Sequence, residues 1–410
     1  DSGNADNLVI EQIQAVTAAN QSNSGKMCVC ALSSNRYFVA YYRSDTDAGI
    51  RCKIITVGSG GSSWSAGSEY HIAGTSGASN LDYMSAVETT TNRVCIFARS
   101  VGDTKPTLVI GDITSNNVWN DRRNEIVDNS TSNNPRESEM YYDSTDDVLC
   151  VVFSTTGDVI KLLPIRVAAG TGAAVTTGTL TTLSSASSDK NSLAFHSNSG
   201  NWVTAYRNTT GNKDTHYQVH SINSSTLAVT SGTGITRTSA NAQYGIALSV
   251  TAENRVVATY ATNNQIINSE VFTVSGTTIA STGAPARIMS SYSDFDRHGS
   301  VYMSHNSKIA VFGTRGSNGL YYGTADTTAS MTNINDSGNN VLGFAPSAIS
   351  DTATGTINLP GNTVDNQSSL TPGSRYYVTS EGTLSTSFVT SRAGVLALSA
   401  TKGVVYGHDT

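Results

Sequence analysis

Charge is scarce in this chain of 410 residues: Asp, Glu, Lys and Arg together make up 14%, against roughly 25% in an ordinary soluble domain. The balance is slightly acidic, with a net charge of -6. A basic face of clustered Lys and Arg is the electrostatic footprint of nucleic-acid binding, so nucleic acid is not an expected partner. Long apolar runs are also missing. No stretch approaches the roughly 20 apolar residues that span a bilayer, and membrane insertion is not expected. Glu, Lys, Ala and Leu at helical spacing are too few for a helical protein. What fills the gap is Gly, Ser, Thr and Asn, which suits tight turns and Thr-rich strands.

Cysteine numbers only five: Cys28, Cys30, Cys52, Cys95 and Cys150. Four sit inside apolar runs and read as buried free thiols acting as small hydrophobes. Cys28-Val29-Cys30 lacks the two-residue gap of a zinc knuckle or a thioredoxin motif, and on a strand both thiols point to one face.

A repeat organises most of the chain. Six times a short polar turn leads into an apolar run, at Asn35-Arg36, Asn92-Arg93, Asp146-Asp147, Gly200-Asn201, Asn254-Arg255 and Ser307-Lys308, with starts 53 to 57 residues apart. The fifth copy is the clearest. It reads as a strand at Ile246–Val250, a turn at Ala252-Glu253, a strand at Arg255–Tyr260, a third at Ile267–Val274 and a fourth near Ala286–Met289. Four short strands per repeat of this length predict an all-β, six-bladed β-propeller. The sixth unit shows three strands, at 300–304, 309–312 and 320–324. The segment Leu8–Val16 resembles the fourth strand of the other units, so it is expected to close the ring as the outer strand of the last blade, leaving only short protected edges.

From about Asn340 the character changes, and the expected division is a propeller over 1–338 and a small C-terminal β-domain over 339–410. That segment carries Ala348-Ile349-Ser350-Asp351, then Leu370-Thr371-Pro372-Gly373-Ser374-Arg375-Tyr376-Tyr377-Val378, and Ala397-Leu398-Ser399-Ala400-Thr401. Leu-Thr-Pro-Gly forms a turn before a strand, Pro fixing φ and Gly permitting a positive one. These ordered phrases resemble a small module at the ends of bacteriophage tail-fibre and virion-appendage proteins; the likeness covers about the last 70 residues. The resemblance implies a virion-surface, extracellular protein that is a homo-oligomer, a trimer among the options, with other virion proteins as partners and a role in host attachment or capsid decoration. Whether the module anchors, trimerises or binds is left open by its position directly after a propeller.

Chemistry has little foothold. A sialidase-like propeller hydrolase is the enzymatic alternative, but the nearest match to its Ser-x-Asp-x-Gly-x-Thr-Trp turn is Gly61-Ser62-Ser63-Trp64, with Val57 and Ser59 where Ser and Asp belong. His216 and His220 would sit on a third strand, where four residues span about 13 Å, too far for one metal ion. Asp294-Phe-Asp296-Arg-His298-Gly299 imitates a calcium-loop opening, yet position twelve is His305 rather than Glu. No phosphate loop, nucleophile elbow or HExxH string occurs, so neither cofactor nor metal is expected and the protein reads as non-enzymatic.

One positional pattern remains. Arg43, Arg99, Arg207 and Arg315 all fall at or just past the end of a second strand, on one rim of the ring. With Asp45, Asp103, Asp294 and Asp296 they form the candidate binding set. The arginines either fix loops by pairing with neighbours such as Asp45 and Asp103, or read an acidic surface glycan through planar bidentate contacts. The sequence thus supports a virion-surface adhesin or decoration protein binding a host-surface glycan or protein receptor through propeller loops. A glycan-cleaving enzyme and a purely structural capsid or filament component are the alternatives.

Overall fold

The computed structural model describes residues 27–43, 49–58, 63–72, 84–90, 92–99, 104–184, 188–209, 213–237, 242–262, 267–283, 285–289, 295–303, 308–315, 320–326, 363–365, 368–378, 384–386 and 394–406. The chain divides into two compact units, residues 1–329 and 330–410. The boundary expected at 338/339 lies outside the described residues.

The first unit is a six-bladed β-propeller built of six consecutive antiparallel sheets in simple up-and-down order. Blade 1 runs Met27–Leu32, Arg36–Arg43, Gly49–Val57 and Trp64–Ala66, with Tyr70–His71 added to the third strand. Blade 2 is Ser85–Thr90, Arg93–Arg99, Pro106–Ile113 and Trp119–Ile126. Blade 3 is Pro135–Asp143, Val148–Thr155, Ile160–Val167, Val175–Thr177 and Thr181–Ser184. Blade 4 is Ser188–His196, Asn201–Asn208, Thr215–Ile222, Val229–Ser231 and Ile235–Arg237; blade 5 is Ala242–Val250, Val256–Thr262, Ile267–Ser275, Thr278–Ser281 and Ala286–Met289. Blade 6 shows Phe295–Met303, Lys308–Arg315 and Leu320–Asp326. The first strand of each blade lies against the first strand of the next, from blade 1 to blade 6. The expected closing strand, Leu8–Val16, lies outside the described residues.

The polar turns of the repeat have a physical reason. Asn35, Asn92, Asp147, Gly200 and Asn254, each just before a second strand, take φ of 54°, 70°, 52°, 63° and 57°. Asn, Asp and Gly tolerate this left-handed region and β-branched residues do not. The hairpin signature in the sequence is therefore a backbone requirement.

Blades pack face to face. Phe38 and Ile54 of blade 1 meet Ile96 and Trp119 of blade 2, with the Phe38 and Trp119 rings 5.2 Å apart. Phe97 and Phe153 meet at 5.2 Å between blades 2 and 3. Trp202 and Tyr206 of blade 4 close on Cys150 and Leu162 of blade 3, and Tyr217 of blade 4 packs on Phe272 of blade 5 at 4.6 Å. All five cysteines are free; Cys52, Cys95 and Cys150 are buried, and Cys28 and Cys30 both pack into the interface of blades 1 and 2.

The outer strand differs from the single fourth strand expected: in blades 1, 3, 4 and 5 it is broken into two short pieces. Packing decides the break. Gly178 and Gly232, at equivalent places in blades 3 and 4, lie against the next blade: a Cβ on Gly178 would stand 2.3 Å from the Leu227 carbonyl oxygen, and one on Gly232 would stand 1.9 Å from that of Thr277. Only glycine lets the two backbones approach this closely.

The second unit contains one five-stranded sheet in the order Thr363–Val364, Gly403–Tyr406, Gly394–Ala397, Arg375–Val378, Leu384–Ser385. Gly373 has φ +80° and its nitrogen donates to the Ala397 carbonyl at 2.8 Å, so Pro372-Gly373 forms the turn before the strand at Arg375. Val364, Val395 and Val405 form its buried centre. No helix among the described residues is long and apolar enough to cross a membrane.

Candidate functional site

The ends of the second strands, which carry the arginine rim, lie at the same end of each sheet as the starts of the first strands. On blade 4 the strand register lines up four polar residues across the sheet: Asp189 opposite Arg207, Arg207 opposite Thr215, and Thr215 opposite Arg237. Alternation along a strand puts Tyr217 on the same side as Thr215. Because Tyr217 belongs to the core shared with blade 5, the whole row faces blade 5.

Arg207 donates from Nε to Asp189 Oδ1 at 2.7 Å and from Nη2 to Oδ2 at 2.5 Å. At the other end of the row, Arg237 Nη2 reaches Glu270 Oε1 of blade 5 at 2.8 Å; the Glu270 side chain is fully buried, whereas that of Arg237 is 30% exposed. Ser281 donates to the same Glu270 oxygen at 2.7 Å. Burial pushes the Glu270 carboxyl up, against the lowering effect of Ser281 and Arg237. Tyr217 is pushed well above the ordinary phenol by burial and then by its neighbours Tyr260 and Glu270.

Arg237 Nε and Glu270 Oε2 are buried without a hydrogen-bond partner, while the Tyr217 hydroxyl lies within bonding reach of Thr215. A buried polar group left unpaired costs about 1–3 kcal/mol, and one donor and one acceptor of this kind stand together at this interface. Guanidinium and carboxylate side by side give a donor next to an acceptor, with tyrosine hydroxyls able to act as either. Elsewhere the faces between blades 1 and 4 are filled mainly by Ile, Leu, Val, Phe and Cys side chains.

The residues expected from the sequence fall as follows. Arg43 and Arg315 end their second strands on this rim, opposite Gly49 and Phe295. Arg99 donates to Asn134 Oδ1 of the neighbouring blade at 3.5 Å. Arg207 has its fork closed by Asp189, a first-strand partner 18 residues earlier rather than a loop neighbour. Asp45, Asp103 and Asp294 lie outside the described residues, and Asp296 sits in a β-bulge of the first strand of blade 6. His216 and His220 do lie on a third strand. His216 stacks on Tyr206 at 5.2 Å and bonds Thr236 at 2.9 Å. His220 is buried between Thr204 and Ser231, and burial lowers it to about 4. No group of three His, Cys, Asp or Glu side chains among the described residues could hold a metal ion.

Arg237, Glu270, Tyr217 and Tyr260 were not among the candidates. A signal did exist: Glu270 is the one charged residue within the strand Ile267–Ser275, alternating with Asn268 and Phe272 on a buried face.

No family model and no curated protein matches the chain. Among solved structures, it is similar to a fungal lectin of Aleuria aurantia described as a six-bladed β-propeller, at 12% identity over 74% of this chain and 96% of that one, with a TM-score of 0.46. AofleA of Arthrobotrys oligospora matches at 13% identity over 73% and 83%, with a TM-score of 0.46. A protein of Bacteroides fragilis proposed to be a 6-phosphogluconolactonase matches at 12% identity over 73% and 84%, with a TM-score of 0.48. Their named activities differ, and the functional reading of this chain is carried by its own residues.

Proposed function

We propose that this protein is a non-enzymatic carbohydrate-recognition module, with its ligand seated between blades 4 and 5. The observation that carries it is the Arg237–Glu270 pair, whose Nε and Oε2 have no hydrogen-bond partner beside a partly exposed Arg237 side chain, a donor and an acceptor that sugar hydroxyls complete. Glycoside hydrolysis by the usual route needs two carboxyl groups free to act on the scissile bond. Both oxygens of Asp189 are held by Arg207, which leaves Glu270 without a second carboxyl in the row and favours binding over cleavage.

The C-terminal phrases that resemble phage tail-fibre modules support placing this recognition on a virion surface. There the propeller would present its rim to a host glycan while the C-terminal sheet joins other virion proteins or further copies of the chain. The test is a glycan array with the full chain, repeated with Arg237→Ala and Tyr217→Phe. Binding lost in Arg237→Ala and weakened in Tyr217→Phe, with thermal stability kept, is the expected result; an array without signal for the wild type would sink the proposal.

A further inference from the structure

We infer that the propeller is a split ring, in which the first strands of blades 6 and 1 meet through apolar contact alone and part more readily than those at any other joint. The inference is independent of the carbohydrate reading above.

A side-chain hydrogen bond on or beside the first strands ties each of the other five joints. The Ser33 nitrogen of blade 1 donates to Glu88 Oε2 of blade 2 at 3.1 Å. The hydroxyls of Ser85 and Ser138 meet at 3.0 Å between blades 2 and 3. The Leu193 nitrogen of blade 4 donates to Glu139 Oε2 of blade 3 at 3.0 Å, and the Leu248 nitrogen of blade 5 donates to Ser192 Oγ of blade 4 at 2.9 Å. Ser249 and Ser300 meet at 2.8 Å between blades 5 and 6.

Strand register gives every one of these tethering side chains a counterpart at the sixth joint. Counted along the second strands from their hairpin turns, Ser138, Ser300 and Glu88 correspond to Met27, Val29 and Ala31 of blade 1. On blade 6, Ser85, Glu139 and Ser192 correspond to Gly299, and Ser249 corresponds to Val301. All five counterparts are apolar, so none can donate or accept a side-chain hydrogen bond.

This joint also stands open along its first strands. Met27, Val29 and Val301 are 62%, 53% and 52% exposed, whereas Ile246 and Leu248, which hold the places of Met27 and Val29 in blade 5, are 7% and 6% exposed. A Cβ added to Gly299 would meet nothing within 4 Å. Val39 and Ala310, on the second strands of the same two faces, are buried, so the opening is confined to the inner edge. Closing it removes apolar surface from water. Parting the first strands at any other joint breaks a hydrogen bond, while parting them here breaks none.

Ala194 and Leu248, the counterparts of Val301 and Val29, share the core between blades 4 and 5, so closure sets Val29 against Val301. The experiment places Val29→Cys and Val301→Cys together in the full chain, oxidises it mildly and maps the linked peptides of the monomer by mass spectrometry. A disulfide between positions 29 and 301 within one chain is expected. In the wild type, hydrogen exchange at the Val29 amide should be about fivefold or more faster than at Leu193 and Leu248, whose nitrogens are tied. Gly299→Ser supplies the missing hydroxyl and should slow the Val29 amide and raise the thermal midpoint above that of Gly299→Ala. A double variant that melts like the wild type and forms no such link, or links only between chains, would overturn the inference. Exchange at Val29 as slow as at Leu248 would overturn it as well, and that measurement on the wild type decides the matter if the double variant fails to fold.

Discussion

Arg93 of blade 2 donates from Nη1 to the carbonyl of Ala168 in blade 3 at 2.7 Å. The contact is one of a series. Arg93 Nη2 also reaches the Gly170 carbonyl at 3.2 Å while Nε is held by Asp112 at 2.8 Å. In the same way Arg36 of blade 1 bonds Asn92, Thr114 and Asn117 of blade 2, Arg166 of blade 3 bonds the Ser224 carbonyl of blade 4, and Asn201 of blade 4 bonds the Gly276 carbonyl of blade 5. The start of a second strand, or the third-strand residue beside it, thus holds the third-to-fourth strand turn of the next blade, on the face opposite the candidate site.

Replacing Arg93 by Ala is expected to destabilise the propeller by about 1–3 kcal/mol, because it leaves Asp112 with Arg122 as its remaining partner and two turn carbonyls unbonded. Lysine, with no fork, should recover only part of this. Urea unfolding monitored by tryptophan fluorescence measures it; a midpoint unchanged in Arg93→Ala would show that the latch contributes nothing.

At Gly232 the close approach to Thr277 predicts that Gly232→Ala pushes blades 4 and 5 apart, with a loss of about 1–3 kcal/mol and weakened glycan binding at the adjoining Arg237–Glu270 pair. Gly172, where an added Cβ would meet nothing within 4 Å, supplies the control: Gly172→Ala should leave both thermal midpoint and binding near wild type.

Glu139 on the first strand of blade 3 accepts from the Leu193 nitrogen of blade 4 at 3.0 Å, and burial, offset in part by Ser192 and Leu193, pushes its carboxyl up from 4.5 to about 7. Below pH 4.5 it is protonated in folded and unfolded chains alike. Between 4.5 and 7 only the unfolded chain ionises it, so its contribution to stability falls as pH rises through that window and is constant above it. The stability difference between wild type and Glu139→Gln, measured by denaturant titration at several pH values, should shift in favour of the variant from pH 4.5 to 7. A difference independent of pH would refute the assignment.

His220 has the opposite sign. Its folded value near 4, below the ordinary 6.5 because of burial, means that between 6.5 and 4 only the unfolded chain takes up the proton; its share of stability is complete above 6.5 and is lost as pH falls towards 4. Proton NMR of the ring, assigned with His220→Gln, should show a resonance that does not move between pH 8 and 5. A midpoint near 6.5 would mean that the ring is exposed.

Much of the propeller was legible in the sequence because its cues are local. Asn35, Asn92, Asp147, Gly200 and Asn254 mark hairpins wherever they stand, since left-handed backbone selects those residue types. The broken outer strand was not legible as such: the fourth strand expected near Ala286–Met289 is real, but a separate piece, Thr278–Ser281, precedes it. In blade 4 the corresponding break holds Gly232, set against Thr277 of the following blade, a contact that no single repeat contains.

The candidate site divides along the same line. By itself the sequence determined that Arg207 stands at the rim and that Glu270 lies on a third strand, because strand position and the two-residue alternation are properties of one segment. Only the tertiary structure decided that Asp189 closes on Arg207 and that Arg237 meets Glu270 across two blades. Those pairings depend on strand register and on the packing of one sheet against the next, which bring together groups that no local pattern links.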